Sequence, residues 1–476
     1  MNDAPRTYDV VVIGAGPVGE NVADRTRAAG LSTVVVESEL VGGECSYWAC
    51  MPSKALLRPV IARADARRVA GASQAVAGPL DAEAVLARRD EFTSHWKDDG
   101  QVGWLTSVGV DLVRGHGRLD GPRQVTVRTP DGGTVRLTAR HAVAVCTGTT
   151  AALPDLPGLA EVKPWTSREA TSAKEVPGRL AVVGGGVVAV EMATVWQALG
   201  ARVTMLVRGQ GLLPRMEPFA GELVAETLAE AGVDLRFGVS VASVAREGGE
   251  VRVGLDGGDE LACDEILFAT GRAPHTDDLG LETVGLTPGD WLRVDDTCRA
   301  TDVADGWLYA VGDVNRRALL THQGKYQGRI AGAVIAARAT GEPLDDRPWG
   351  AHVATADSFA VPQVVFTDPE VGSVGLTARE AEQAGRRTRV VDYDLAQVAG
   401  ASLYADGYRG QARMIVDLDR GHLIGVTFAG PGTGELLYSA TVAVAGEVPV
   451  ERLWHAVPAY PTISEIWLRL LETFRD

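Results

Sequence analysis

The feature that most constrains the fold is a glycine turn between two apolar runs near the start of the chain. The runs cover 8–13 and 33–36, a helical stretch separates them, and the second run ends in Glu37. The turn has the pattern Gly-x-Gly-x-x-Gly and contains Gly14, Gly16 and Gly19. Strand, glycine turn, helix, strand and acid in this order are typical of a dinucleotide-binding unit. The glycines let the backbone approach a pyrophosphate at the helix start, and the acid accepts hydrogen bonds from a ribose.

The same pattern occurs again about 170 residues later. A strand over 180–183 leads into a second glycine turn, a helix over 191–199 and another strand over 203–207. The residues predicted to hold a second nucleotide are Gly184, Gly186, Ala189 and, at the end of a later strand, Gly271. The repeat therefore predicts an α/β protein with two Rossmann-like units and two bound nucleotides.

The second unit ends in Arg208 where the first has an acid. An acid favours the free ribose 2′-hydroxyl of NAD, whereas an arginine suits the 2′-phosphate of NADP. We therefore predict NADP at this site, with NAD as the second choice. The alternative is that Arg208 is an ordinary surface residue.

Two cysteines follow the first unit, at Cys45 and Cys50, and the sequence Pro-Ser-Lys comes directly after them. A helix start at this point would stabilise a thiolate, because its free N–H groups point at the negative charge. The pattern indicates a dithiol that opens and closes. The alternatives are two unconnected buried cysteines or a metal site, but no second pair at ligand spacing accompanies them, so no metal is predicted.

Composition narrows the functional class. The 476 residues carry a net charge of −16, which argues against nucleic acid as a partner. No apolar run reaches the ~18 residues of a membrane span, so no membrane association is predicted. The polar start, residues 1–8, lacks a signal-peptide core, which predicts a cytoplasmic location. In that compartment a cysteine pair is more often catalytic than structural.

Together these motifs, with Gly312-Asp313, resemble the class I pyridine nucleotide–disulfide oxidoreductases, or flavoprotein disulfide reductases. Lipoamide dehydrogenase, glutathione reductase and mercuric reductase belong to this family. The resemblance covers essentially the whole chain. It implies an FAD-binding domain over 1–150 and 272–350, an NAD(P)-binding domain over 151–271, and an α+β dimerisation domain over 351–476. It also implies a homodimer.

The resemblance further assigns individual roles. Cys50 corresponds to the flavin-proximal sulfur and Cys45 to the interchange thiol that meets the substrate. Lys54 corresponds to the lysine near the flavin, paired with a glutamate at Glu191. The residues implied to hold FAD are Gly14, Gly16, Gly19, Glu37, Lys54, Gly117, Gly312, Asp313 and Thr321.

The chain departs from the family pattern near its C-terminus. Most members carry a histidine base where this chain has Tyr460, followed by a glutamate here at Glu465. Unperturbed tyrosine titrates near ~10 and histidine near ~6.5, so a neutral phenol is a poor base at pH 7. His455 is out of register and is a second candidate for this role. Two aromatic residues between the cysteines, Tyr47 and Trp48, would shape a pocket for a flat acceptor or pack the loop.

Three functions follow from these observations. The first is an FAD-dependent oxidoreductase that passes electrons from NAD(P)H through the Cys45–Cys50 pair to a small-molecule disulfide other than lipoamide or glutathione. The second is an NAD(P)H–quinone or diaphorase-type reductase working directly from the flavin, suggested by Tyr460. The third is a non-catalytic scaffold, which the intact nucleotide motifs disfavour. The lack of a C-terminal cysteine pair disfavours metal reduction.

Overall fold

The computed structural model describes residues 5–476, which divide into two compact units. The first unit comprises the chain up to Met51, Asp90–Thr150 and Arg272–Ser358. The second unit comprises Pro52–Arg89, Ala151–Gly271 and Phe359–Asp476. Both units are therefore discontinuous in sequence.

Strands and helices are mixed along the chain, with runs of helices over 43–107 and runs of strands over 111–151 and 234–310. The strands are β1 (Arg6–Ile13), β2 (Thr33–Glu37), β3 (Asp111–Arg114), β4 (His116–Leu119), β5 (Gln124–Arg128), β6 (Thr134–Val145), β7 (Thr149–Ala151), β8 (Arg179–Val183), β9 (Arg202–Val207), β10 (Asp234–Phe237), β11 (Val241–Glu247), β12 (Glu250–Leu255), β13 (Glu260–Cys263), β14 (Glu265–Phe268), β15 (Arg272–Pro274), β16 (Leu308–Ala310), β17 (Pro362–Val365), β18 (Glu370–Gly375), β19 (Thr388–Asp394), β20 (Gln411–Asp417) and β21 (His422–Gly430).

The helices are α1 (Pro17–Ala28), α2 (Gly43–Tyr47), α3 (Cys50–Arg67), α4 (Ala82–Phe92), α5 (Asp99–Ser107), α6 (Leu159–Val162), α7 (Ser167–Ser172), α8 (Val187–Ala198), α9 (Pro218–Glu230), α10 (Thr321–Thr340), α11 (Ala356–Phe359), α12 (Ala378–Gln383), α13 (Ala399–Tyr404), α14 (Leu437–Ala445), α15 (Val450–Leu453) and α16 (Ile466–Arg475). Within residues 5–476, none of these helices combines the length and apolarity needed to cross a membrane.

The first unit is built on a seven-stranded sheet in the order β3-β2-β1-β6-β5-β4, with β16 also paired to β6. Strands β1, β2, β3 and β16 are parallel to their neighbours, whereas β4 and β5 form an antiparallel extension. Val10, Val11 and Val12 are fully buried. This is the burial expected of a central parallel strand covered on both faces, and it explains the unbroken apolar run in the sequence.

The second unit contains three sheets. A parallel sheet in the order β10-β9-β8-β14 carries the second glycine turn, and an antiparallel sheet contains β11, β12 and β13. The five-stranded antiparallel sheet β17-β18-β21-β20-β19 comes from the last part of the chain. The predicted α/β class with two Rossmann-like units and a C-terminal α+β region is confirmed.

The first glycine of each turn has a similar backbone conformation and the same close contact. Gly14 has φ +99°, and a Cβ on it would lie 2.5 Å from the carbonyl oxygen of Cys146. Gly184 has φ +127°, and its Cβ would lie 2.5 Å from the carbonyl oxygen of Ala269. In both turns the backbone leaves the first strand where a side chain would collide with the neighbouring strand's end. Only glycine fits such a position without strain.

Candidate active site

The first glycine turn ends at the N-terminus of α1, and Glu37 closes the neighbouring strand β2. Glu37 is buried, and its carboxylate accepts hydrogen bonds from the backbone amides of Ala15 at 2.7 Å and Glu39 at 2.8 Å. Burial raises the pKa of Glu37, and these two amides oppose part of that rise. The carboxylate is thus fixed in place beside the turn, with lone pairs left for a ligand hydroxyl.

Close backbone contacts and one unpaired hydroxyl lie around this turn. A Cβ on Gly43 would lie 2.9 Å from the Cα of Gly16, so these two backbones approach too closely for side chains. Thr147 follows β6, and its buried hydroxyl has no hydrogen-bond partner within residues 5–476. Since buried hydroxyls are nearly always paired, this oxygen fits the polar group of a bound cofactor. Gly117 lies on β4, where a Cβ would come 2.9 Å from Val36.

A second group of predicted residues surrounds Gly312 and Asp313. The Asp313 carboxylate accepts a hydrogen bond of 2.8 Å from the hydroxyl of Thr149. Burial raises the pKa of Asp313, and the Thr149 hydrogen bond opposes part of the rise. The amide of Gly312 donates to the side chain of Gln327 at 2.8 Å.

Gln327 is a site residue that the sequence analysis missed. It lies on α10, is fully buried, and its amide group also donates to Asp357 at 2.8 Å and accepts from Asn315 at 2.8 Å. Both polar atoms of the Gln327 side chain therefore form hydrogen bonds, with Gly312, Asn315 and Asp357. Nothing in the sequence distinguishes a buried glutamine from an exposed one on a helix.

The structure brings Cys50 together with Thr321, which is 271 residues away in sequence. The Cys50 sulfur lies 3.2 Å from the Thr321 hydroxyl. Cys50 is the first residue of α3, and Thr321 is the first residue of α10. Both side chains thus stand at helix starts, where backbone N–H groups favour a negative charge such as a thiolate.

Cys45 lies on α2, near Cys50. The chain is not helical throughout this stretch, since Trp48 breaks it with φ −137° and ψ 0°. Cys45 therefore lies on the five-residue helix α2, and Cys50 begins the 18-residue helix α3 after a bend. Both cysteines are free thiols in this structure and are half-buried. Tyr47 is only 2% exposed, so it packs the loop and does not line a pocket, whereas Trp48 is half-buried.

In the second unit, Lys54 and Glu191 form an ion pair with Nζ and Oε2 2.8 Å apart. The other oxygen of Glu191, which is 3% exposed, accepts a hydrogen bond of 3.1 Å from the amide of Phe366. The Lys54 ammonium also lies 4.9 Å from the centroid of the Phe366 ring, within the range of a cation–π contact. Phe366 thus contacts both members of the pair, a role that the sequence analysis missed.

The second glycine turn lies at the N-terminus of α8, with Gly186 as the N-cap. A Cβ on Gly186 would meet no atom within 4 Å, which leaves open space at the helix start. Ala189 is fully buried, and Gly271 has φ +149°. Arg208 follows β9, is exposed, and has no ion-pair partner in the part of the chain that the structure describes.

Tyr460 and Glu465 are not joined in this chain. Tyr460 is 76% exposed, and Glu465 is 6% exposed. One carboxylate oxygen of Glu465 lies 2.5 Å from the guanidinium of Arg469, and the other is buried without a partner among residues 5–476. His455 is exposed. Only one carboxylate oxygen of Glu465 therefore binds an arginine one turn further along.

The sequence matches the family described as pyridine nucleotide-disulphide oxidoreductase over residues 8–339, and the dimerisation domain of the same family over residues 361–470. The chain belongs to this family. Its members use FAD and a pyridine nucleotide, and the chain is an FAD-dependent disulfide oxidoreductase. The family predicted from the motifs is confirmed, and the quinone reductase alternative is not favoured.

Relatives of the disulphide oxidoreductase family extend over nearly the whole chain. A dihydrolipoyl dehydrogenase from Haloferax volcanii is 32% identical over 99% of this chain and 97% of its own. A mercuric reductase from Staphylococcus aureus is 30% identical over 96% of this chain and 81% of its own. Among solved structures, LpdA from Mycobacterium tuberculosis has a TM-score of 0.83 at 26% identity, covering 98% of this chain and 99% of its own.

A further solved structure shares the fold of this disulphide oxidoreductase. The HOCl-induced flavoprotein disulfide reductase RclA from Escherichia coli has a TM-score of 0.83 at 24% identity, and the match covers 99% of each chain. The matched dimerisation domain supports a homodimer. No group of three or more His, Cys, Asp or Glu side chains in the described residues could hold a metal ion.

Proposed function

We propose that this disulfide oxidoreductase transfers electrons from NAD(P)H to a small-molecule disulfide through the pair Cys45 and Cys50. The observation that carries the proposal is the placement of Cys50 at a helix start, 3.2 Å from Thr321, with Cys45 nearby. When bound, FAD supplies the two-electron exchange between the nicotinamide and the cysteine pair. The residues proposed to hold it are those at the first glycine turn, Glu37, Gly117, Gly312, Asp313 and Thr321.

The cysteines then carry the exchange with the substrate. The Cys45 thiolate attacks one sulfur of the substrate disulfide, which forms a mixed disulfide and releases the first substrate thiol. The Cys50 thiolate attacks the Cys45 sulfur, which forms the Cys45–Cys50 bond and releases the second thiol. Two electrons thus move from the cysteine pair to the substrate, and each departing thiolate takes up one proton.

The nicotinamide nucleotide is proposed to be NADP, with NAD as the alternative. The exposed guanidinium of Arg208, which has no ion-pair partner in the described residues, supports this proposal because it is available for a 2′-phosphate. We also retain the domain boundaries and the cytoplasmic location of the sequence analysis as predictions. The pair Lys54 and Glu191 is proposed to lie beside the flavin, as the family resemblance implies.

Replacement of each cysteine by serine tests the proposal. We expect Cys45→Ser to abolish reduction of cystine, used as the small-molecule disulfide probe, by the FAD-loaded enzyme, while flavin reduction by NAD(P)H persists. Cys263→Ala, on β13 outside the pair, serves as the control and should keep full turnover. Disulfide turnover that survives loss of Cys45 would refute the proposal, and quinone reduction that survives it would instead point to electron transfer directly from the flavin.

A further inference from the structure

Within the first unit, the turn that carries Cys45 is held by a distant segment over 96–101. The indole Nε1 of Trp96 donates to the carbonyl oxygen of Tyr47 at 3.1 Å. The side chain of Asp98 accepts a hydrogen bond of 2.8 Å from the amide of Val41. The turn before and within the cysteine pair is thus fixed at two backbone positions by side chains about 50 residues away.

The side chain of Tyr47 also contacts the segment over 96–101, through its hydroxyl group. It lies 3.1 Å from the carbonyl oxygen of Val41, 3.3 Å from that of Lys97 and 3.4 Å from the side-chain oxygen of Gln101. A phenol has one proton to donate, so these three oxygens share it. Because the ring is 2% exposed, the hydroxyl is removed from water and depends on these partners.

The backbone that presents Trp96 adopts a rare conformation. Ser94, His95 and Trp96 have φ values of 50°, 51° and 56°, three consecutive left-handed residues that carry side chains. L-residues seldom adopt this region, and runs of them are rarer still. Such geometry persists where the surrounding structure holds it, and it occurs preferentially near functional sites. Here it directs the indole at Tyr47, which lies between the two cysteines in sequence.

We propose that Trp96 and Tyr47 form a clamp that positions the cysteine-bearing turn and so stabilises the Cys45–Cys50 disulfide relative to the dithiol. This inference rests on the proposed function. Fixing the backbone of Tyr47 limits the freedom of the thiol on each side of it. The two sulfurs therefore stay close together after reduction, and less entropy is lost when the disulfide forms again. Both residues are positioning residues, since neither takes part in the exchange itself.

The test measures the thiol–disulfide equilibrium of the FAD-loaded enzyme in buffers of reduced and oxidised dithiothreitol. Two electrons and two protons pass from dithiothreitol to the Cys45–Cys50 bond, and dithiothreitol becomes its cyclic disulfide. Trapping with iodoacetamide and mass spectrometry then give the fraction of each form. For the double variant Tyr47→Phe/Trp96→Phe we expect disulfide formation to weaken about tenfold, which raises the two-electron potential by ~30 mV.

Each single variant should show part of this change, and Trp104→Phe should show none. Trp104 lies on α5 in the same unit and is 37% exposed, so it controls for loss of an indole outside the clamp. Tyr47→Phe loses one oxygen atom and keeps its ring, and it carries the test if Trp96→Phe does not fold. Potentials equal to that of the unaltered enzyme in the clamp variants would overturn the inference. Lack of any Cys45–Cys50 disulfide in the unaltered enzyme would contradict the proposed function itself.

Discussion

Glu191 binds Lys54 through one carboxylate oxygen at 2.8 Å and the backbone amide of Phe366 through the other at 3.1 Å. Both oxygens of a nearly inaccessible carboxylate are therefore committed. The arrangement joins Lys54 on α3, Glu191 on α8 and Phe366 in the loop after β17, three residues of the second unit. Removing the charge of Glu191 should thus affect more than one neighbour.

We predict that Glu191→Gln lowers the free energy of unfolding by about 1–2 kcal/mol. The glutamine can still accept from Phe366, but its amide nitrogen would then face the Lys54 ammonium. The Lys54 side chain is 34% exposed, so water screens part of the loss. Urea unfolding measures the effect, and the exposed Glu222→Gln on α9 is the control. Equal losses in the two variants would contradict a specific role for the pair.

Gly14→Ala should destabilise the first unit by about 2–4 kcal/mol and prevent FAD binding. The added Cβ would lie 2.5 Å from the Cys146 carbonyl oxygen at φ +99°. Gly30→Ala is the control that introduces backbone strain without a steric collision, because Gly30 has φ +84° but a Cβ there would meet no atom within 4 Å. It should lose only about 1 kcal/mol and keep FAD. Thermal unfolding and flavin content report both effects.

Arg208→Ala should lower kcat/KM for NADPH by about 10–100-fold, the range expected when a charge-assisted contact to a phosphate is lost. The value for NADH should stay nearly constant. Arg202→Ala, at the other end of β9, should leave both nucleotides unaffected. A parallel loss for NADH and NADPH would show that Arg208 does not distinguish them.

Tyr460→Phe should leave disulfide turnover almost unchanged at pH 7, because the Tyr460 side chain is 76% exposed and does not bond to Glu465. Tyr460→His should raise kcat about tenfold, below the ~10²–10⁴-fold typical of a positioned base, because one of the two carboxylate oxygens of Glu465 already binds Arg469. Turnover measured from pH 6 to pH 9 checks both results. A large loss in Tyr460→Phe would show that the phenol is required.

The stability of the protein should depend on pH through Glu20 in the first turn of α1. Burial raises the pKa of Glu20 to about 7, with a further rise from Glu37 and an opposing effect of Lys325. The folded state holds this proton more tightly than the unfolded state, so stability falls as pH rises from about 4.5 to about 7.

Glu20→Gln removes this effect. At pH 8 the variant should be more stable than the unaltered protein by up to ~3 kcal/mol, since each pKa unit corresponds to about 1.4 kcal/mol. Near pH 5 the two proteins should be about equally stable. Urea unfolding at the two pH values checks the sign. A variant that is less stable at pH 8 would contradict it.

The sequence alone predicted those parts of the fold that follow from local residue patterns. Gly14 and Gly184 lie at tight turns because strand, turn and helix follow one another directly, and the apolar run over 8–13 is the buried central strand. The family pattern also anticipated that Lys54 would meet Glu191, although 137 residues separate them. These features depend on motif spacing, which a single chain displays.

Other parts of the site depend on contacts that no local pattern encodes. The helical pattern predicts a helix as far as Trp96, but α4 ends at Phe92 and a left-handed turn follows. The backbone amides of Trp96 and Lys97 bond within that turn, and the Trp96 indole also donates to the distant carbonyl oxygen of Tyr47. Likewise one carboxylate oxygen of Glu465 binds Arg469 one turn further along the chain, a contact that the C-terminal motif does not indicate.

The hydrogen bond between Gln327 and the amide of Gly312 places one support of the proposed flavin site in the middle of a long helix. When each residue is substituted in turn, changes at Gln327 should therefore reduce FAD binding as strongly as changes in the glycine turns. Changes at its neighbours on α10 should have a smaller effect. A variant at this position should lose its yellow flavin during purification. Selection for higher flavin content should therefore retain Gln327.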